Sequence, residues 1–138
     1  MYSTFFPNLQ NYRICSDQTI NYNCIAWAAG DTEKWWWPDI QNLKYWPPDI
    51  PRNETIDAFI KAFEKLGYSV CDNSDFENGF EKIAIYANSQ RKPKHAAKQI
   101  PNGLWTSKLG KDHDIEHRLN ELEGDTYGEV SVIMSRHA

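Results

Sequence analysis

The stretch FEKIAIYANSQRKPKHAAKQIPNGLWTSKLG, residues 80–110, decides the fold. It opens with alternation: Phe80, Lys82, Ala84 and Tyr86 fall on one face of an extended chain, and Ile83 and Ile85 on the other. That predicts a strand over residues 80–87. Arg91-Lys92-Pro93 is a basic, proline-bearing link. A second strand follows over residues 94–100, Pro101-Asn102-Gly103 is a strong turn signal, and a third strand runs from Leu104 to Leu109. Residues 80–109 thus read as an antiparallel meander.

Towards the C-terminus, Gly110 ends the meander. Asp112 or Asp114 then caps an expected short helix, DIEHRLNELEG, stopped by Gly124. A last strand, Tyr127 to Met134, adds to the sheet. On the N-terminal side, ETIDAFIKAFEKL (54–66) is the clearest helix, with Ile56, Phe59, Ile60, Phe63 and Leu66 at helical spacing. Asn53 caps it and Gly67 follows it. Tyr68 to Cys71 reads as a short strand. Residues 31–53 form an insert containing WWWPD and YWPPDIP, in which four prolines forbid a regular element through most of its length. NYNCIAWAAG (21–30) is a buried apolar helix with Asn21 and Asn23 as capping residues. Residues 1–20 look like an irregular arm, anchored by Phe5, Phe6 and Leu9, with a turn at Ser16-Asp17-Gln18. Helices first and an antiparallel sheet afterwards predict one α+β domain over residues 1–138.

Composition narrows the partners. The net charge of -4, from 15 basic and 19 acidic residues, gives no reason to expect nucleic acid or an anionic membrane. No apolar run approaches the roughly 18 residues of a membrane span. Three cysteines, Cys15, Cys24 and Cys71, are an odd count with no zinc spacing, so a reducing compartment is expected rather than a disulfide framework. MYSTFFPNLQ has neither the basic start nor the long apolar core of a secretory leader, and a cytoplasmic location follows as the expectation.

Chemistry centres on Cys24. A thiol near a helix start meets oriented N–H groups that favour thiolate, the nucleophilic form. Its usual partner is a histidine. His95 lies on a predicted strand, where a scaffold can hold its ring; His113 and His117 flank a predicted helix start, and His137 lies near the terminus. If the Pro101–Gly103 hairpin pairs its strands, Ser107 lies near His95 and orients it; Asp112, Asp114, a water or a backbone group are the alternatives. The backbone N–H of Cys24, with Asn23 or Gln18, would hold an oxyanion.

NYNCIAWAAG and HAAKQIPNGLWTSKLG together resemble the papain-like cysteine hydrolases of the NlpC type. In that family a Cys opens a helix packed on a sheet, a His begins a strand, and a third polar residue lies twelve positions after the His. The resemblance implies a papain-like fold, roles for Cys24, His95 and Ser107, a peptide or amide-containing substrate, and no cofactor or metal. Gln18, six residues before Cys24, falls where the papain branch places its oxyanion glutamine. Asn23 and Ile25-Ala26 depart from the Asp and Ser-Gly that flank the family's Cys, and its third residue is usually His, Asn or Gln. The chain also resembles a small bacterial domain group sharing the NCIAWA and WTSKLG pairing.

The expected activity is a cysteine hydrolase or acyltransferase acting on an amide, isopeptide or thioester bond. Its groove would be walled by Trp27, Trp35, Trp36, Trp37 and Trp46, with Lys108 placed for a substrate carboxylate. The alternative is a non-enzymatic module that binds a protein or peptide through the Trp/Pro-rich insert. DHDIEH carries a rival metal reading, since His113 and His117 would share one face of a helix.

Overall fold

The computed structural model describes residues 6–9, 12–14, 21–109 and 113–138. The meander is present. Strand β3 spans Phe80–Ala87, β4 Pro93–Gln99 and β5 Trp105–Lys108, each antiparallel to the next. Four further strands complete the sheet: β1 (Arg13–Ile14), β2 (Ser69–Cys71), β6 (Asp114–His117) and β7 (Glu129–His137). The seven strands lie in the order β1-β6-β5-β4-β3-β7-β2.

This overturns the expected fold class. Among the described residues the sheet dominates, and two short α-helices accompany it: α1 (Cys24–Ala29) and α2 (Ile56–Glu64). The arrangement is therefore not α+β with N-terminal helices packed on a C-terminal papain-like sheet. Two local readings account for the difference. DIEHRLNELEG does not form an α-helix. Its first four residues are β6, paired Trp105↔His117 and Ser107↔Ile115 with β5, and Leu119–Leu122 make a 3-10 turn. Cross-strand pairing and burial of Ile115 and His117 override local helix propensity there. The arm is also not wholly irregular, because Arg13–Ile14 adds the edge strand β1 against Glu116 and Ile115.

Alternation along the strands divides the buried residues into two layers. On one face, Ile83, Ile85, Ala96 and Met134 pack against α1, α2 and the indoles of Trp36 and Trp46. On the other, Ala84, Tyr86, Ala97, Trp105 and Ile115 pack beneath Phe6, Leu9 and Leu122. Helix α2 is an amphipathic lid on the first face. Thr55, rather than the expected Asn53, caps it through Oγ1, and Phe59 and Phe63 point inward.

The sheet edges are blunted against pairing with another chain. Strand β2 has three residues and β1 two. Beyond β2, the Val130 N–H donates to the Glu123 carboxylate, 3.0 Å.

Candidate functional site

Cys24 opens α1 on the helix face of the sheet, buried against Ala96. Burial pushes its thiol up to about 11, although the backbone amides of Ala96, Ile25 and Cys24 itself, and the Lys108 charge, all favour thiolate. Desolvation wins, so the resting group is a neutral thiol.

His95 occupies the opposite face. It precedes Ala96 on β4, and neighbouring strand residues point to opposite sides. Its ring stacks on Tyr127, centroids 3.9 Å apart at 9°, and meets Tyr86 edge-on at 5.2 Å. The sheet therefore separates Cys24 from His95, and the proposed dyad is not assembled. His95 is fully buried, and neither ring nitrogen has a hydrogen-bond partner. Burial first, and then nearby His117, hold it well below the usual imidazole range.

Ser107 pairs with a different histidine. Its Oγ lies 2.7 Å from His117 Nε2, and His117 Nδ1 lies 2.7 Å from the Arg118 carbonyl. A carbonyl only accepts, so the neutral ring carries its proton on Nδ1, and Nε2 accepts the Ser107 O–H. Burial pushes His117 down to about 4, with the Arg118 carbonyl and Glu121 opposing. The pair is a satisfied buried polar contact between β5 and β6. The sequence signal for it was alternation: Ile115 and His117 both point inward on an extended segment.

The remaining predicted residues divide. Both ends of the Asn23 amide are committed: Oδ1 accepts from Ala26 N, 3.1 Å, and Trp36 N, 3.0 Å, and Nδ2 donates to Trp36 O, 2.8 Å. It fastens α1 to the insert, and the Nδ2 donor to Trp36 O is spent on that tie rather than aimed at an oxyanion. Gln18, Cys15 and Asp112 lie outside the described residues. Trp36 and Trp46 are core residues rather than groove walls, and Trp35 and Trp37 are half-buried. Trp27 and Lys108 come together around Tyr22. Trp27 stacks on that ring at 5.6 Å and donates to Thr106 Oγ1, 3.2 Å; the Lys108 ammonium lies 5.3 Å from the ring centroid. Lys108 is fully buried, as is Asp114, which accepts from the Tyr22 hydroxyl at 3.3 Å.

The metal reading fails on geometry. On an extended chain His113 and His117 are about 13 Å apart rather than one helical turn. Among the described residues no three His, Cys, Asp or Glu side chains gather at one point.

The insert carries a feature the sequence reading missed. Trp37 N donates to Tyr45 O, 2.9 Å, and Tyr45 N to Trp35 O, 3.0 Å, which closes the loop 38–44. Within it the Asp39 carboxylate accepts from Leu43 N, 2.7 Å, from Lys44 N, 3.0 Å, and from the Arg52 guanidinium, 3.0 Å. These donors, the Leu43 N–H foremost, hold its carboxyl below the usual range. Arg52 also binds the Asp39 and Lys44 carbonyls. Asn42 takes a left-handed conformation, φ 57°, to complete the turn. The braced tip presents Ile40, 91% exposed, and Leu43, 74% exposed. The legible signal was Asp39 and Asn42, turn residues surrounding two aliphatics in DIQNLK.

Comparison with protein families places a domain described as a domain of unknown function (DUF7689) over residues 13–135, and the chain belongs to that family. No curated protein matches the chain. No solved structure matches it.

Proposed function

We propose that this member of the family is a protein-binding module whose contact surface is the tip of the aromatic insert. The observation that carries the reading is the pairing of bracing with exposure. Ile40 and Leu43 contribute nothing to the core, yet the backbone that presents them is fixed by Asp39, Arg52 and two buried indoles. A preordered loop loses little conformational entropy on association. Large exposed aliphatics gain free energy only when a partner covers them. Lys34 over Tyr45, 4.8 Å, and Lys44 over Trp35, 5.5 Å, place two cations beside the tip. The partner surface this suits is an apolar recess with an acidic rim. Cys24 and Cys71 are free thiols, which supports a reducing, cytoplasmic setting. No helix among the described residues is long and apolar enough to cross a membrane.

The test is photocrosslinking in cells from a residue placed at Ile40 or at Leu43, with Lys61 on α2 as the control position. A discrete adduct from the tip, absent from the control and lost in Ile40→Ser/Leu43→Ser, is the expected result. Equal labelling from tip and control would overturn the reading.

A second reading keeps thiol chemistry, a cysteine hydrolase or acyltransferase: Cys24 opens α1, and three backbone amides and Lys108 favour thiolate there, although burial outweighs them at rest. The Cys24 sulfur would form a thioester with the carbonyl carbon, the thiol proton would leave with the amine or thiol, and water would then release the acid and restore the Cys24 thiol. His95 takes no part. Wild type and Lys108→Met, alkylated with iodoacetamide, test it. A Cys24 rate above that of Cys71, dependent on Lys108, supports the reading, and a slower, Lys108-independent rate removes it.

A further inference from the structure

The turn at residues 124–128 lies across the face of the sheet opposite the helices. Gly124 and Gly128 close it with two backbone hydrogen bonds, 3.0 and 2.7 Å. Gly128 has φ 81°, and a Cβ there would overlap the Ala87 carbonyl. The turn is thereby pressed onto the end of β3. Tyr127 reaches down from it onto the flat of the His95 ring, and Phe6 flanks Tyr127 at 5.0 Å. Asp125 and Thr126 face solvent.

We propose that residues 124–128 form a proton-released strap: protonation of His95 lifts Tyr127 from the sheet and uncovers His95 and Tyr86. The argument is geometric. A neutral imidazole with both nitrogens unpartnered is tolerated beneath an aromatic cover, but an imidazolium there has two buried N–H donors and no acceptor. The groups facing it do not supply one. From β3 comes Tyr86, whose hydroxyl donates to the Leu119 carbonyl, 2.6 Å. From β6 comes His117, occupied by Ser107 of β5 and opposing a second positive charge. Glu123, at the foot of the turn, accepts from Val130 N and is not a hydrogen-bond partner of either His95 nitrogen. The proton, taken from solvent, is stabilised only when water reaches the ring. Of the two aromatic covers, Tyr86 sits in a strand paired on both sides, whereas Tyr127 sits on a turn outside the strands, closed by the Gly124–Gly128 bridge and tied at its foot by Asn8 Nδ2 to the Glu123 carbonyl, 2.9 Å.

Amide hydrogen exchange, read by NMR between pH 8 and pH 5 and corrected for intrinsic rates, tests this. Gly124 and Gly128 report the strap, and Ile83 and Ile85 report the sheet. The opening equilibrium at the glycines rises by about tenfold per pH unit below the ordinary histidine range, the signature of one proton. Ile83 and Ile85 stay better protected throughout. In H95F the glycine amides lose their pH dependence, and H95Q gives the same comparison should H95F fail to fold. Three outcomes each overturn the proposal: glycine amides that do not respond to pH, a response unchanged in both His95 variants, or opening only together with Ile83 and Ile85.

Discussion

Lowering the pH from 8 to 5 should cost this protein several kcal/mol of stability, most of it through two buried imidazoles. His117 is held at about 4 when folded, by burial, against an ordinary value of 6.5. The folded state therefore favours the neutral ring, and the unfolded state binds more protons below pH 6.5. Stability is fully present above that value and falls as the pH drops towards 4. For His117 alone the loss at pH 5 is about 2 kcal/mol, at 1.36 kcal/mol per unit. His95 shifts in the same direction through burial and adds to the loss. Well below pH 6.5 the combined slope lies between one and two protons, roughly 1.4–2.7 kcal/mol per unit. Against a typical domain stability of about 5–15 kcal/mol, that is a large fraction. Urea unfolding followed by Trp fluorescence at half-unit intervals measures it. His95→Phe should remove close to one proton of the slope. A stability constant between pH 8 and pH 5, or one that rises, would refute the claim that both rings are buried neutral.

Other outcomes follow from single contacts. Asn23→Ala removes a helix cap and the ties to both polar groups of Trp36, and should cost about 2–4 kcal/mol by thermal or urea unfolding. Gly128→Ala forces a left-handed φ and a Cβ into the Ala87 carbonyl, and should lower stability by more than about 2 kcal/mol. Cys71, half-buried, should react with a small alkylating reagent at pH 8 before Cys24, whose thiol is neutral there; mass spectrometry of the two peptides distinguishes them. Ile40→Ser/Leu43→Ser should leave the unfolding midpoint unchanged to within about 0.5 kcal/mol, since neither side chain packs against the core.

The sequence was most legible where periodicity and burial agree. Ile83 and Ile85 against Ala84 and Tyr86 declared both the strand and its two faces, and Ile56, Phe59 and Phe63 declared the helix. It misled where a short segment carried good helix formers. DIEHRLNELEG has the composition of a helix, and only its partner β5, set by pairings such as Lys108↔Asp114, makes it a strand. The site was lost to a single-residue phase. His95 stands one position from Ala96, and one step along a strand exchanges the Cys24 side for the Tyr127 side. A resemblance in spacing does not encode that phase. The braced tip escaped because its stiffness comes from Arg52, thirteen positions after Asp39, a contact that no local pattern announces.

The strand order also constrains how the molecule is made. Both edge strands precede the central meander in sequence, with Arg13 paired to Glu116 and Cys71 to Ile133. The central meander, by contrast, is contiguous in sequence. During synthesis these edge strands emerge first and have no sheet to join until β6 and β7 are complete. Such distant pairings slow folding, because loop closure precedes the contacts that reward it. The apolar helix that begins at Cys24 therefore has no sheet face to pack on until β4, with Ala96, has been made.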